Sequence, residues 1–385
     1  MPIKHLSLYE RINNINLLVL TGTRKKMGTD YGYFLKEDLL KTLNILTDYY
    51  GQQGISYERL ADKAEIFYQR YPTDYKSFIE GMAEGSGISL SDCKILLGME
   101  TLNSLLREKS SEISACAFLF SPTSNELNAG LIGRNYDFFK PFDECAKYLT
   151  LTVLYEDNKL PTAFISMPGQ IYCPTCINSE GIFAEFNNGM PSGGFAVDTS
   201  KETLLATLLK AVQSSRNLSE FKDEMYSLEA DYSLIINAAS HNETHSYEFS
   251  PLLGMRPYYP ILNQPYGSTN FFHNDTWGDI PAPTDESTWL GVSRRDNLVN
   301  FLHDKGGCDI ECFKDLMDKS MDKGGSVWDY TIYQIIYDSF NKNIYLKINS
   351  DNPNWTEIPL EKYFSLAMYN TTNEYNAELL LESYI

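Results

Sequence analysis

The chain has 385 residues, a formal net charge of −19, 43% hydrophobic residues and 13% aromatic ones. That apolar content builds a sizeable core and excludes a disordered chain. The acidic balance excludes a nucleic-acid binder and disfavours docking on an anionic membrane, since both need a basic face.

The N-terminal stretch MPIKHLSLYERINNINLLVL is interrupted by Glu10, Arg11, Asn13 and Asn14. It has neither the apolar core of a signal peptide nor the length of a membrane span, so cytoplasmic residence is the expectation. Seven cysteines, an odd number thinly spread, suit a reducing compartment better than a disulfide framework.

Up to about residue 110 the pattern is helical. In YGYFLKEDLLKTLNILTDYYG, Phe34, Leu39, Leu43 and Leu46 fall near one helical face and Gly51 supplies a stop. SYERLADKAEIFYQRY begins at Ser56 and stops before Pro72, and DYKSFIEGMAEGSGIS and LSDCKILLGMETLNSLL follow, with Ser91 and Asp92 as expected caps. A short strand is expected at INLLVLTG.

The texture changes at Ser114. From there to about residue 195, short apolar runs divided by turns read as strands and hairpins: ACAFLFSP, NAGLIGRNYDF, YLTLTVLYED, PTAFISMPGQ and GIFAEFNNG. A helix at KETLLATLLKAVQSS, strands at DYSLIINAAS and THSYEFSP, and a Pro/Tyr/Asn-rich loop from Gly254 to about Glu286 come next. The end carries a helix at RRDNLVNFLHD and strands at DYTIYQIIYDSF and NIYLKI. Strands interleaved with helices predict an α+β layered protein with a mainly antiparallel sheet. With no clear linker, the helical front packs onto the strand-rich remainder.

No G-x-S-x-G, H-E-x-x-H, P-loop or dinucleotide-binding fingerprint is present. His273 in TNFFHND and His303 at a helix end read as surface polar groups. Cys173 and Cys176, with Cys308 and Cys312, have spacings that two halves of a zinc site could use, but they lie far apart in sequence and read as chance pairs. No metal or cofactor is expected. Cys116 differs, because it opens an apolar strand and the following hairpin returns with Arg134 and Asp137 in GRNYDFF. Asn187 and Asn188 in EFNNG, Asn270 in STNFF, and Arg294 and Arg295 in VSRRDNL set further polar groups beside apolar ones.

Cys116, GRNYDF, NSEGIFAEFNNGMP, STNFF and SRRDNLVNFL together resemble the N-terminal-nucleophile family of linear amide C–N hydrolases. That family includes choloylglycine hydrolase, penicillin V acylase, acid ceramidase and the isopenicillin N acyltransferases. The resemblance covers about residues 114 to 348, and GRNYDF downstream of a cysteine is its most specific element. It implies a four-layer αββα sandwich. It also implies self-cleavage between Ala115 and Cys116, giving a helical pro-segment, 1–115, and a catalytic domain, 116–385.

The implied chemistry explains the shortage of histidines. An N-terminal Cys116 provides both the thiol nucleophile and, in its α-amino group of pKa about 8, the general base. By resemblance Asp137 holds that amine, Arg134 favours the thiolate, Asn188 and Asn270 form an oxyanion hole, and Arg295, preferred over Arg294, orients Asp137. Asn188 is preferred over Asn187 by counting from Gly181. The aromatic loop around Tyr258, Tyr259, Tyr266, Phe271 and Phe272 either lines an acyl pocket or is ordinary loop packing. The implied partner is a small-molecule N-acyl amide, without nucleic acid or membrane insertion, and relatives often assemble as homo-oligomers. An acyltransferase and a catalytically silent binding protein of the same fold are the alternatives.

Overall fold

The computed structural model describes residues 7–106, 114–122, 130–172, 174–278, 280–349 and 352–366. The front segment opens with the hairpin β1 (Leu8–Ile12) and β2 (Ile15–Thr21), then runs through α1 (Arg24–Phe34), α2 (Lys36–Gln52), α3 (Tyr57–Gln69), α4 (Thr73–Ser86), α5 (Leu90–Leu97) and α6 (Met99–Leu106). Strands β3 (Ser114–Ser121) and β4 (Leu131–Phe138) follow, then α7 (Phe142–Ala146), β5 (Thr150–Tyr155), β6 (Thr162–Ser166), β7 (Thr175–Asn178) and β8 (Phe183–Asn188). Next come α8 (Met190–Gly193), α9 (Leu204–Ser214), α10 (Leu218–Ser227), β9 (Leu234–Ala239), β10 (Thr244–Ser250), β11 (Gly254–Tyr258) and β12 (Tyr266–Ser268). The chain closes with α11 (Gly291–Lys305), α12 (Ile310–Asp318), β13 (Thr331–Asp338), β14 (Asn343–Ile348), β15 (Asn352–Pro359) and α13 (Leu360–Phe364).

Among the described residues the strands form two sheets, ordered β1-β2-β5-β6-β7-β8-β9-β10-β11 and β12-β3-β4-β13-β14-β15. The pairings between these strands are antiparallel except β2 with β5, which run parallel from Asn16 opposite Thr150 to Thr21 opposite Tyr155. The sheets face each other through Phe118, Phe183 and Tyr337, whose ring centroids lie 6.3 and 6.1 Å apart in sequence. On the outer side of the six-stranded sheet, Leu298 and Leu302 of α11 and Phe313, Leu316 and Met317 of α12 pack over Ala117, Leu119, Leu131 and Ile336. Beyond the nine-stranded sheet, α10 packs Phe221 against Tyr247 of β10, and α9 lies against β7. The fold is thus mixed α+β, with large, mainly antiparallel sheets and helices packed on them, as expected.

The front segment is built into this body. Strand β2 is buried along its whole length, because it lies inside the nine-stranded sheet with β5 as its second neighbour. Helices α1 and α4 then approach at backbone distance. A Cβ at Gly28 would stand 2.0 Å from the Phe78 carbonyl oxygen, and one at Gly85 would stand 1.9 Å from that of Thr29. Gly32 and Gly81 make the same approach, to Met82 and Lys25.

Three local expectations are corrected. The cap of α5 is Ser89, whose hydroxyl accepts from the Asp92 N–H at 3.1 Å, in place of Ser91 or Asp92. The Pro/Tyr/Asn-rich stretch after Gly254 contains strands β11 and β12, since their partners β10 and β3 lie elsewhere in the chain. Cys308 and Cys312, read as chance neighbours in a chain of free thiols, are joined by a disulfide. Cys173 lies outside the described residues. No described helix is long and apolar enough to cross a membrane.

Candidate active site

Strand alternation decides which groups meet. On β3, Cys116 and Phe118 face the opposite sheet, whereas Ala117 and Leu119 face α11 and α12. The antiparallel register sets Cys116 opposite Tyr136, Phe118 opposite Arg134 and Ala115 opposite Asp137. Arg134 therefore reaches into the space between the sheets on the same side as Cys116, and Asp137 projects the other way, toward α11.

The Arg134 guanidinium is wholly buried, with acceptors at both terminal nitrogens and none at Nε. Its Nη2 lies 3.4 Å from Cys116 Sγ and 2.9 Å from the Phe186 carbonyl oxygen. Nη1 donates to Thr175 Oγ1 at 2.9 Å and to the Pro174 carbonyl, and it pairs with Glu185 at 3.0 Å. Burial pushes the Cys116 thiol up to about 12, opposed by the Arg134 charge and the Asp137 N–H, and reinforced by Asp137 and Glu185. At such a value the thiol is protonated near neutrality.

A second buried group surrounds the main chain of Cys116. Arg294 donates to Asp137, to the Cys116 carbonyl oxygen at 2.9 Å and to Asn270 Oδ1 at 3.0 Å. That same Oδ1 accepts from the Cys116 N–H at 3.2 Å, and Asn270 Nδ2 donates to the Asn188 carbonyl oxygen at 2.9 Å. Asp137 also accepts from Thr331 Oγ1 at 2.7 Å. Cys116, Arg134, Asp137, Asn188 and Asn270 are thus brought together.

Arg295 is not with them. It pairs with Asp296 at the surface and lies over the Phe271 ring at 5.0 Å. The correction follows from helix register: Arg294, Leu298 and Leu302 are the buried face of α11, spaced four apart. Counting from Leu298 and Leu302 would have found it. Asn187 is buried, and its Nδ2 donates to the Ser268 carbonyl oxygen at 3.3 Å. The sequence reading also missed Glu185, whose only signal was a carboxylate in the otherwise apolar run before EFNNG's asparagines.

The aromatic loop divides. Tyr258 and Tyr266 stack at 5.8 Å, and His273 meets Phe271, Tyr266 and Tyr258 at 4.9, 5.6 and 5.4 Å. Phe272 turns away to Trp277 at 4.8 Å. His273, expected at the surface, is half-buried among these rings, and burial together with the Arg295 charge lowers its pKa to about 3. His303 is exposed, as expected. Tyr259 borders a separate cavity of about 600 Å³ with Phe120, Lys222 and His245. Among the described residues no three His, Cys, Asp or Glu side chains cluster as a metal site.

No family model matches the sequence, and no curated protein matches it. The fold is similar to solved structures of amide hydrolases. A mutant of conjugated bile acid hydrolase from Clostridium perfringens aligns with a TM-score of 0.44 at 11% identity, covering 64% of this chain and 93% of that one. The Caenorhabditis elegans ortholog of N-acylethanolamine-hydrolyzing acid amidase gives 0.41 at 10% identity, covering 58% and 92%. Penicillin V acylase from Agrobacterium tumefaciens gives 0.37 at 9% identity, covering 64% and 86%. At these scores the chemistry rests on this chain's own residues.

Proposed function

We propose that the protein is a self-cleaving cysteine amidase that hydrolyses a linear N-acyl bond of a small molecule through a Cys116 acyl-enzyme. The observation that carries this is the contact of the Arg134 guanidinium with Cys116 Sγ, at 3.4 Å, beside the Arg294, Asp137 and Asn270 group that holds the residue's own N–H and carbonyl.

Cleavage uses the same parts. The thiol adds to the Ala115 carbonyl, the Ala115–Cys116 C–N bond breaks, and the proton passes to the departing nitrogen. Water then hydrolyses the thioester, leaving the Ala115 carboxylate, a free thiol and an α-amine. That amine, with a pKa of about 8, is the base that the continuous chain lacks. Asn270 Oδ1, already an acceptor of the Cys116 N–H, holds the amine in place. Asp137 acts on it through Arg294, and Asn270 Nδ2 and Asn188 are the donors for the oxyanion, each worth about 3 kcal/mol in such sites. The Tyr258, Tyr266 and Phe271 cluster lines the acyl side.

The test is the intact mass of denatured, reduced protein together with turnover on a panel of N-acyl amides. Two pieces divided between Ala115 and Cys116, and hydrolysis lost in Cys116→Ala, are expected. A Cys116→Ala chain that still divides there overturns the reading. Added hydroxylamine that diverts the acyl group more readily than water would favour an acyltransferase.

A further inference from the structure

We propose that Glu185, on β8, is a positioning residue that acts on the Cys116 thiol through Arg134: it is the resting counter-ion of that arginine, and a Cys116 thiolate takes its place. This rests on the reading of Cys116 as the amidase nucleophile.

The contacts run without a break from sulfur to carboxylate. Arg134 starts on β4 in one sheet, and its guanidinium ends against β7 and β8 of the other. Its Nη2 meets Cys116 Sγ at 3.4 Å, and its Nη1 meets Glu185 Oε2 at 3.0 Å. Glu185 Oε2 makes no hydrogen bond besides this ion pair, and Oε1 accepts from Asn237 Nδ2 on β9. Arg134, Glu185 and Asn237 are all wholly buried. The register sets Glu185 opposite Thr175 on β7 and Asn237 on β9, so the three share the face of the nine-stranded sheet that receives Arg134.

One buried cation thus stands between two groups, each able to carry the one negative charge that balances it. The titratable and charged groups facing Glu185 among the described residues are Arg134 on β4, Cys116 on β3 and Tyr333 on β13, with Thr175 and Asn237 as its neutral neighbours. Arg134 favours either anion, and an ionised Glu185 disfavours the thiolate. Burial pushes the Glu185 carboxyl up to about 7, so below that pH the arginine's charge is left to the sulfur. The guanidinium does not need Glu185 to stay in place. The Pro174 and Phe186 carbonyl oxygens and Thr175 Oγ1 hold it as neutral acceptors, and a glutamine at 185 keeps an oxygen for Asn237.

The experiment follows iodoacetamide labelling of Cys116 by mass between pH 6 and 9, with turnover alongside, for the wild type and Glu185→Gln. Without the carboxylate the apparent thiol pKa above pH 7 should fall by about one unit. A thiolate of lower pKa is also a weaker nucleophile, so labelling at pH 8 should be about threefold faster than in the wild type. At pH 6, where Glu185 is protonated in both senses that matter to Arg134, the two rates should coincide. If Glu185→Gln does not fold, Asn237→Leu carries the test: it removes the donor that favours the ionised carboxyl and must speed labelling at pH 8 in the same direction. Coincident profiles overturn the proposal, and so does a Cys116 that no variant lets the reagent modify. A shifted labelling profile without cleavage or turnover would instead overturn the amidase reading alone.

Discussion

At the scale of single residues, the two adjacent arginines of α11 separate structural necessity from surface charge. Arg294 and Asp137 are both fully buried and bonded to each other. Removing one partner leaves the other charge without compensation, which costs about 3–5 kcal/mol. Arg294→Ala should therefore lower the urea midpoint sharply. Arg295, part-exposed and paired with its neighbour Asp296, should change stability by no more than about 1 kcal/mol when replaced by alanine. Equal effects from the two substitutions would refute the register of α11. The contrast also shows what the sequence exposed. Cys116, Arg134 and Asp137 belong to one hairpin, so alternation and short spacing bring them together almost without tertiary information. Arg294 meets Asp137 across the fold, and only the rotation of a helix about its axis selects it over Arg295.

Among the elements, the front segment holds to the rest by geometry that composition does not reveal. The change from helical to strand texture at Ser114 and the strand at INLLVLTG were legible, because periodicity and β-branched runs are local properties. That INLLVLTG becomes an interior strand paired with β5 was not, because the partner lies far along the chain. Nor did the glycines of YGYF or EGMAEG announce that α1 and α4 touch backbone to backbone. Two outcomes follow. Gly32→Ala and Gly85→Ala each drive a methyl into a carbonyl oxygen of the opposing helix, and each should cost about 1–3 kcal/mol or more by overpacking. Melting temperatures unchanged from the wild type would show that the helices are further apart. Second, a chain divided between Ala115 and Cys116 should remain one particle through native size exclusion, with the pieces parting only in denaturant. The buried β2 side chains, each worth about 1.5–3 kcal/mol when removed from water, hold the first piece in the sheet. Separation under native conditions would contradict the β2–β5 pairing.

For the whole molecule, buried acids and the net charge act in the same direction with pH. Burial pushes Glu100, Glu185 and Glu248 each up to about 7. Glu248 remains enclosed by the N–H groups of His273 and Asn274 and the Trp277 indole. A folded-state pKa above the unfolded one, near 4.3, means that the folded chain binds protons more tightly. The stabilisation from each group is complete below about pH 4.3 and is lost as pH rises through about 7. The formal charge of −19 adds self-repulsion on the same alkaline side. The melting temperature should therefore fall by several degrees between pH 5.5 and 8.5. Salt divides the two contributions, because it screens repulsion between exposed charges and leaves burial of a carboxylate nearly untouched. At high salt the remaining slope should belong to the buried acids, and Glu248→Gln should flatten it further while leaving the melting temperature at pH 5.5 close to the wild type's. A melting temperature that is flat or rises across this range would mean that these carboxyls ionise in contact with water, and that solvent enters the sandwich beside them.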